Sequence, residues 1–152
     1  MAGKQDVETP DVFFKAVERY FGVTFEYDMA ADELNAKCNN FFTEADDALN
    51  MDWPLNTWLW LNPPFARLGN WVDKVYEQAR RGCNIITIWP LSGDQNQIVT
   101  WNYASVYVVH GRIWPLVRGC MLCVWSEDRN GQVIAGLDWN KKTLLKNWRV
   151  YH

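Results

Sequence analysis

Trp58-Leu59-Trp60-Leu61-Asn62-Pro63-Pro64-Phe65 is the stretch from which the rest of the chain can be placed. Bulky apolar residues run straight into Asn-Pro-Pro-Phe. A run this short and aromatic predicts a buried strand. Pro63 and Pro64 then stop it, because neither has an N–H to give to a ladder. Asn62 is thereby presented at the C-terminal end of the strand. That is the edge at which open α/β sheets take their ligands.

The flanks extend the pattern in both directions. Downstream, residues 68–81 have the spacing of an amphipathic helix, with Trp71, Val72, Val75, Tyr76 and Ala79 at core positions. Arg80, Arg81 and Gly82 suit its C-terminus. Residues 84–89 are the next predicted strand, closed by Pro90. A strand–helix–strand unit predicts parallel neighbours and a right-handed crossover. Residues 91–102 begin polar and turn-rich, with helix expected over 97–101. Strands are expected at 104–109 and 120–125. Asp128-Arg129-Asn130-Gly131 has hairpin-turn chemistry, which predicts an antiparallel closing pair. The tail, residues 137–152, has a weak Trp/Leu pattern among lysines that fits a helix, a strand or an arm.

Upstream, residues 1–7 are expected to be a flexible start. Thr9-Pro10-Asp11 then opens a helix: Thr9 suits the cap, Pro10 the first helical position and Asp11 the positive end. Val12, Phe13, Ala16, Val17 and Tyr20 continue it, and Gly22 ends it. Residues 23–27 alternate like a strand and deliver Asp28, followed by Met29 and the small Ala30 and Ala31. A carboxylate there can accept from an amine or hydroxyl of a ligand, and it can equally cap a strand-to-loop turn. Residues 39–43 form a possible short strand, and 44–49 an acidic loop or helical turn.

The chain of 152 residues is read as one α/β domain with a mixed sheet. Its formal charge of −3 counts against a large basic face for nucleic acid. Arg67, Lys74, Arg80, Arg81, Arg112, Arg118, Lys141, Lys142, Lys146 and Arg149 are the candidates for a local patch, and each also reads as an ordinary solvated charge. Ten tryptophans serve mostly as core, with a few available for base stacking. Cys120 and Cys123 have metal-site spacing, but residues three apart in a strand face opposite sides and Cys38 and Cys83 make no second pair. No metal is expected. Reduced thiols fit a cytoplasmic protein. No signal peptide or long apolar run implies secretion or a membrane span.

Asn62-Pro63-Pro64-Phe65 points to a specific chemistry. The amino group on a nucleobase ring is a poor nucleophile, because its lone pair is delocalised. Two acceptors facing its two protons draw the nitrogen toward tetrahedral geometry. The Asn62 side-chain carbonyl and the Pro63 backbone carbonyl can be those acceptors, with directions set in advance by the prolines. Phe65 offers a flat face to an unstacked base.

This tetrapeptide resembles the catalytic motif of amino-group DNA methyltransferases, (Asp/Asn/Ser)-Pro-Pro-(Tyr/Phe/Trp). Further landmarks occur in one order: Glu8-Thr9-Pro10, Asp28-Met29-Ala30-Ala31, Asn35-Ala36-Lys37-Cys38 and Gly111-Arg112-Ile113. From about Glu8 to Trp125 the chain resembles the phage-encoded DNA N-6-adenine methyltransferases, a small Dam-like group. The resemblance implies a minimal Rossmann-like fold, S-adenosylmethionine as methyl donor and adenine in DNA as acceptor. It implies Thr9 and Pro10 near the methionine part of the cofactor, and Asp28 and Ala30 lining its pocket. It implies Asp46 or Asp47 at its adenine or ribose, and Asn62, Pro63, Pro64 and Phe65 as the transfer site. No Gly-x-Gly loop follows Asp28, and no insertion is long enough for a separate recognition domain, so a short or relaxed target is expected. The missing glycine loop and the acidic charge motivate an alternative, a non-catalytic binding protein on the same fold that binds DNA or a host protein in counter-defence.

Overall fold

The computed structural model describes residues 8–91, 95–113, 119–127 and 132–147. Among these, strands β1 (Phe25–Asp28), β2 (Asn40–Phe41), β3 (Trp58–Leu61), β4 (Asn84–Pro90), β5 (Ser105–His110), β6 (Cys120–Trp125), β7 (Gln132–Asn140) and β8 (Leu144–Asn147) form one sheet. Its order is β2-β1-β3-β4-β6-β5-β7-β8. Helices α1 (Asp11–Phe21), α2 (Leu68–Arg81) and α3 (Gln95–Tyr103) cover it. The expected start at 1–7 and the turn at 128–131 lie outside the described residues, as do 92–94 and 148–152 of the polar loop and the tail.

β1 pairs in parallel with β2 and β3, and β3 in parallel with β4. β6 runs antiparallel between β4 and β5, and β7 pairs in parallel with β5. All strands except β6 and β8 therefore end on one edge, at Asp28, Phe41, Leu61, Pro90, His110 and Asn140. The order reverses beside β1: the chain steps outward to β2, then crosses to β3 on the other flank. In open α/β sheets ligands bind outside the strand ends at such a reversal, which here is that of β1 and β3.

The central strands β3, β4 and β6 are buried on both faces, which is why they read as near-continuous apolar runs. Leu59, Leu61, Ile85, Trp89, Met121, Cys123 and Trp125 point to the core shared with Val72, Val75 and Ala79 of α2. Trp60, Ile86, Ile88, Leu122 and Val124 point to the core shared with Phe13, Phe14 and Val17 of α1. Cys120 and Cys123 consequently sit in different cores, on opposite faces of β6. Burial pushes both thiols up, Cys120 to about 12.

Several expectations need correction. Thr9 makes no cap: α1 starts at Asp11 after Pro10, and no side chain caps it. Pro90 belongs to β4 as its last residue, paired with Cys120. β6 does not form a hairpin with the strand that follows, because β4 and β5 already occupy both its edges. The closing antiparallel pair is β7 with β8, one strand later, and it resolves the tail as strand through Asn147. Helical periodicity also missed Gln78, which is fully buried in α2. Its Oε1 accepts from the Trp53 amide at 2.9 Å and from Arg81 at 2.7 Å.

Gln78 thus holds the approach to β3 against α2. Gln78→Leu leaves the Trp53 N–H buried without an acceptor, and the unfolding free energy is expected to fall by about 1–3 kcal/mol. Urea titration of the two proteins checks this; an unchanged midpoint contradicts it.

Candidate active site at the strand-end edge

β3 delivers Asn62 to the edge beside β1, whose last residue, Asp28, pairs in register with Trp60. The Met29 amide donates to the Trp60 carbonyl at 2.9 Å, locking the two strand ends together. Pro63 is buried and Pro64 exposed, with Pro64 at φ −58 and ψ 131. Phe65, half-buried, starts a short 3-10 turn (Phe65–Arg67) that runs into α2, and it packs against both cores. The corner is therefore held on each side of the sheet plane.

Asn62 donates from Nδ2 to Thr9 Oγ1 at 2.8 Å. Thr9 is buried and lies just before α1, so the start of that helix is drawn to the end of β3. In this arrangement Nδ2 faces Thr9 and the carbonyl Oδ1 is directed away from that contact. Oδ1 is itself buried.

Asp28 is 3% exposed. Its Oδ1 accepts from the Ala30 amide at 3.3 Å and its Oδ2 from the Lys37 amide at 3.0 Å. Burial pushes its carboxyl up to about 6; the Lys37 and Ala30 amides and the Lys37 charge pull the other way, and Asp32 adds to the rise. A carboxylate has about four lone-pair positions, so two backbone donors leave acceptor capacity over. Ala30 and Ala31, both half-buried, put little bulk beside it.

Lys37 was not singled out as a site residue, yet it ties this region together. Its Nζ lies 2.7 Å from Asp11 Oδ1 and 3.6 Å from Glu8 Oε1, with the side chain only 8% exposed. It thus fastens the loop after β1 to the first turn of α1. The same loop is stiffened by Asp32 Oδ1, which accepts from the amides of Leu34 and Asn35, and by Asn35 Oδ1, which accepts from the Asp32 amide. A lysine in a turn-rich segment after Asp28 was the available signal, but its acidic partners lie upstream in another element.

Thr9, Pro10, Asp28, Ala30 and Asn62–Phe65 converge on this edge. Asp47 lies farther along the chain after β2, between two 3-10 turns (Glu44–Asp46 and Ala48–Asn50). It is exposed and accepts from Asn50 Nδ2 at 2.7 Å, while Asp46 closes a capping box with Thr43. At the other half of the edge, a groove of about 490 Å3 is lined by Leu91, Val108, Val109, His110, Gly111, Arg112 and Gly119. Gly111 has φ +118, and a Cβ there would stand 2.4 Å from the Trp139 carbonyl oxygen. Glycine is required by both the backbone and the approach of β7. Among the described residues no group of His, Cys, Asp or Glu is placed to hold a metal, and no helix is long and apolar enough to cross a membrane.

Fold and site together define a mixed α/β protein with a proline-locked Asn corner at the order reversal of its strand-end edge. The family model described as DNA N-6-adenine-methyltransferase (Dam) matches residues 2–113, and the chain belongs to that family. The DNA N-6-adenine-methyltransferase of Haemophilus phage HP1 (strain HP1c1) is 38% identical over 58 residues, 38% of this chain and 33% of that protein. That of Escherichia phage T1 is 32% identical over 82 residues, 54% of this chain and 34% of that protein. The matched segments span about a third of the length of each relative.

The raised Asp28 carboxyl makes a stability prediction. Its folded value of about 6 lies above the ordinary 3.8, so folding takes up a proton between them. Its contribution is fully present below 3.8 and is lost as pH rises through about 6. Relative to Asp28→Ala, the unfolding free energy should therefore increase as pH falls from neutral through that window. Denaturant titrations along a pH series test this, and a difference that stays flat contradicts it.

Proposed function

We propose that the chain is a Rossmann-like, S-adenosylmethionine-dependent methyltransferase that modifies the exocyclic amino group of adenine in DNA. The observation that carries the reading is the Asn62 amide, oriented by Thr9 at a proline-locked corner, with the Asp28 carboxylate on the adjacent strand end. Family membership supports it, as do the printed activities of the two phage relatives.

The residues fit the cofactor on chemical grounds. Asp28 keeps acceptor capacity after its two backbone bonds, and a cationic ligand beside it offsets the cost of burying the carboxylate. Ala30 leaves room for close approach, and Thr9 and Pro10 bound the crevice from the α1 side. Asp47 is the candidate for a ribose or adenine contact, reached from the loop after β2. When bound, S-adenosylmethionine supplies an electrophilic methyl group on a sulfonium sulfur.

The chain's own residues then do three things. Asn62 Oδ1 and the Pro63 carbonyl accept the two amino protons of a flipped adenine and free the nitrogen lone pair for attack. The prolines keep those acceptors fixed, so no reorganisation is needed as charge develops. Phe65 holds the base plane, which offsets part of the few kcal/mol spent on extruding a base from the duplex. The main gain would be positional, in that these residues would hold the base amino group close to the donor's methyl group.

Asn62→Ala is expected to lower kcat at least about 100-fold, the scale for deleting a preorganised polar contact, while cofactor affinity stays close to normal. Unimpaired methyl transfer by this variant would overturn the assignment. The cofactor site has its own signature. Affinity for S-adenosylmethionine should weaken as pH drops below about 6, where Asp28 gains its proton, and this dependence should vanish in Asp28→Asn. Calorimetry checks it; no detectable binding by the unaltered protein at any pH would instead favour a non-catalytic protein.

A further inference from the structure

Charge along the strand-end edge is segregated. β1 ends on Asp28, and the loops after β1 and β2 carry Asp32, Glu33, Glu44, Asp46, Asp47 and Asp52 against one cation, Lys37, which is paired with Asp11 and Glu8. Past β3 the sign changes: Arg67 follows the Pro-Pro corner, Arg112 follows β5, and Lys141 and Lys142 form the turn between β7 and β8. All four of these cations are exposed. Among the described residues of that side the acid is Asp138, which is hydrogen-bonded to His110 Nδ1 at 3.1 Å; Asp94 also follows β4 in the sequence. Asn62 stands at the boundary between the two halves.

We propose that the β5–β7–β8 end of this edge binds the phosphates of the DNA strand flanking the target base, with Arg112, Lys141 and Lys142 as its cations. The inference rests on the DNA methyltransferase reading and says which face of the molecule meets the duplex. The register places the cations side by side, because His110 pairs with Asp138 and Gly111 abuts the Trp139 carbonyl. Arg112 is thus carried next to the β7–β8 turn. That turn is held by the Lys142 amide, which donates to Asn140 Oδ1 at 2.7 Å. The groove of about 490 Å3 lies beside Arg112 and opens on the same edge. The acidic half would repel a polyanion and suits a cationic ligand. Cofactor and DNA are therefore sorted to opposite halves by sign, which reconciles a net charge of −3 with a nucleic-acid substrate. Lys141 and Lys142 lie beyond residues 2–113 of the family match, so this part of the surface belongs to this chain's own closing hairpin.

The test is binding of a fluorescent adenine-containing duplex across a salt series, with a non-reactive S-adenosylmethionine analogue present. Lys141→Gln with Lys142→Gln should weaken binding on every duplex sequence and reduce the log–log salt slope by about 1.8, or about 0.9 per lost phosphate contact. Arg112→Gln should remove about 0.9 more. Analogue affinity should be unchanged, and Arg80→Gln, at the far end of α2, should change nothing. The double Lys variant sits on an exposed turn, so it remains informative if Arg112→Gln misfolds. Wild-type slopes in both variants, in a protein that still methylates DNA, overturn this surface alone. A slope lost on duplex RNA but not on DNA also overturns it. Absence of any DNA binding by the unaltered protein overturns the surface and the methyltransferase reading together.

Discussion

One hydrogen bond, from Asn62 Nδ2 to Thr9 Oγ1, joins residues 53 apart in sequence and orients the group on which the site depends. A carboxamide can present either end to a ligand. With its nitrogen turned to Thr9, the carbonyl is the end directed away from that contact. Pro63 and Pro64 remove most of the remaining freedom at the backbone. Because Thr9 leads into α1, the same contact fixes where that helix begins, and Lys37 repeats the tie from the other side through Asp11 and Glu8. The corner is therefore built from three separate parts of the chain, and none of them is ordered by local preference alone.

The buried Asp28 carboxylate runs against stability above pH 6 and is nevertheless held in place by two backbone amides. Such an arrangement is typical of a group poised for a ligand, since a cation placed beside it recovers what burial costs. The position follows from topology. At the β1/β3 reversal two neighbouring parallel strand ends have no direct connection between them, and Asp28 and Asn62 are the residues that emerge there.

Much of this was legible in the sequence, and the parts that were not share a cause. α2 was expected over 68–81 and runs Leu68–Arg81, because its buried positions recur with helical period and Gly82 ends it. β3 and β6 were equally plain, being short apolar runs with clear stops. The Pro-Pro corner and Asp28 could be placed at strand ends from those runs. What failed was non-local. Thr9 has the local chemistry of a cap, but a distant amide claims its hydroxyl. Gln78 and Lys37 look like surface residues until their partners, Trp53 and Asp11, arrive from other elements. The order in which β5, β6 and β7 assemble is likewise invisible to periodicity, since each could pair with any free edge. Gly111 was noticed as part of a motif, but its reason, the Trp139 carbonyl at 2.4 Å from a would-be Cβ, exists only in the folded sheet.

The central claim is that a fixed pair of carbonyls makes a base nitrogen reactive. Incubating the protein with mixed-sequence DNA and S-adenosylmethionine labelled in its methyl group, then analysing the nucleosides by mass, tests it most directly. Label in N6-methyldeoxyadenosine, dependent on Asn62, is the expected result. Label on a ring carbon, or no label from protein shown to bind both cofactor and DNA, would contradict it.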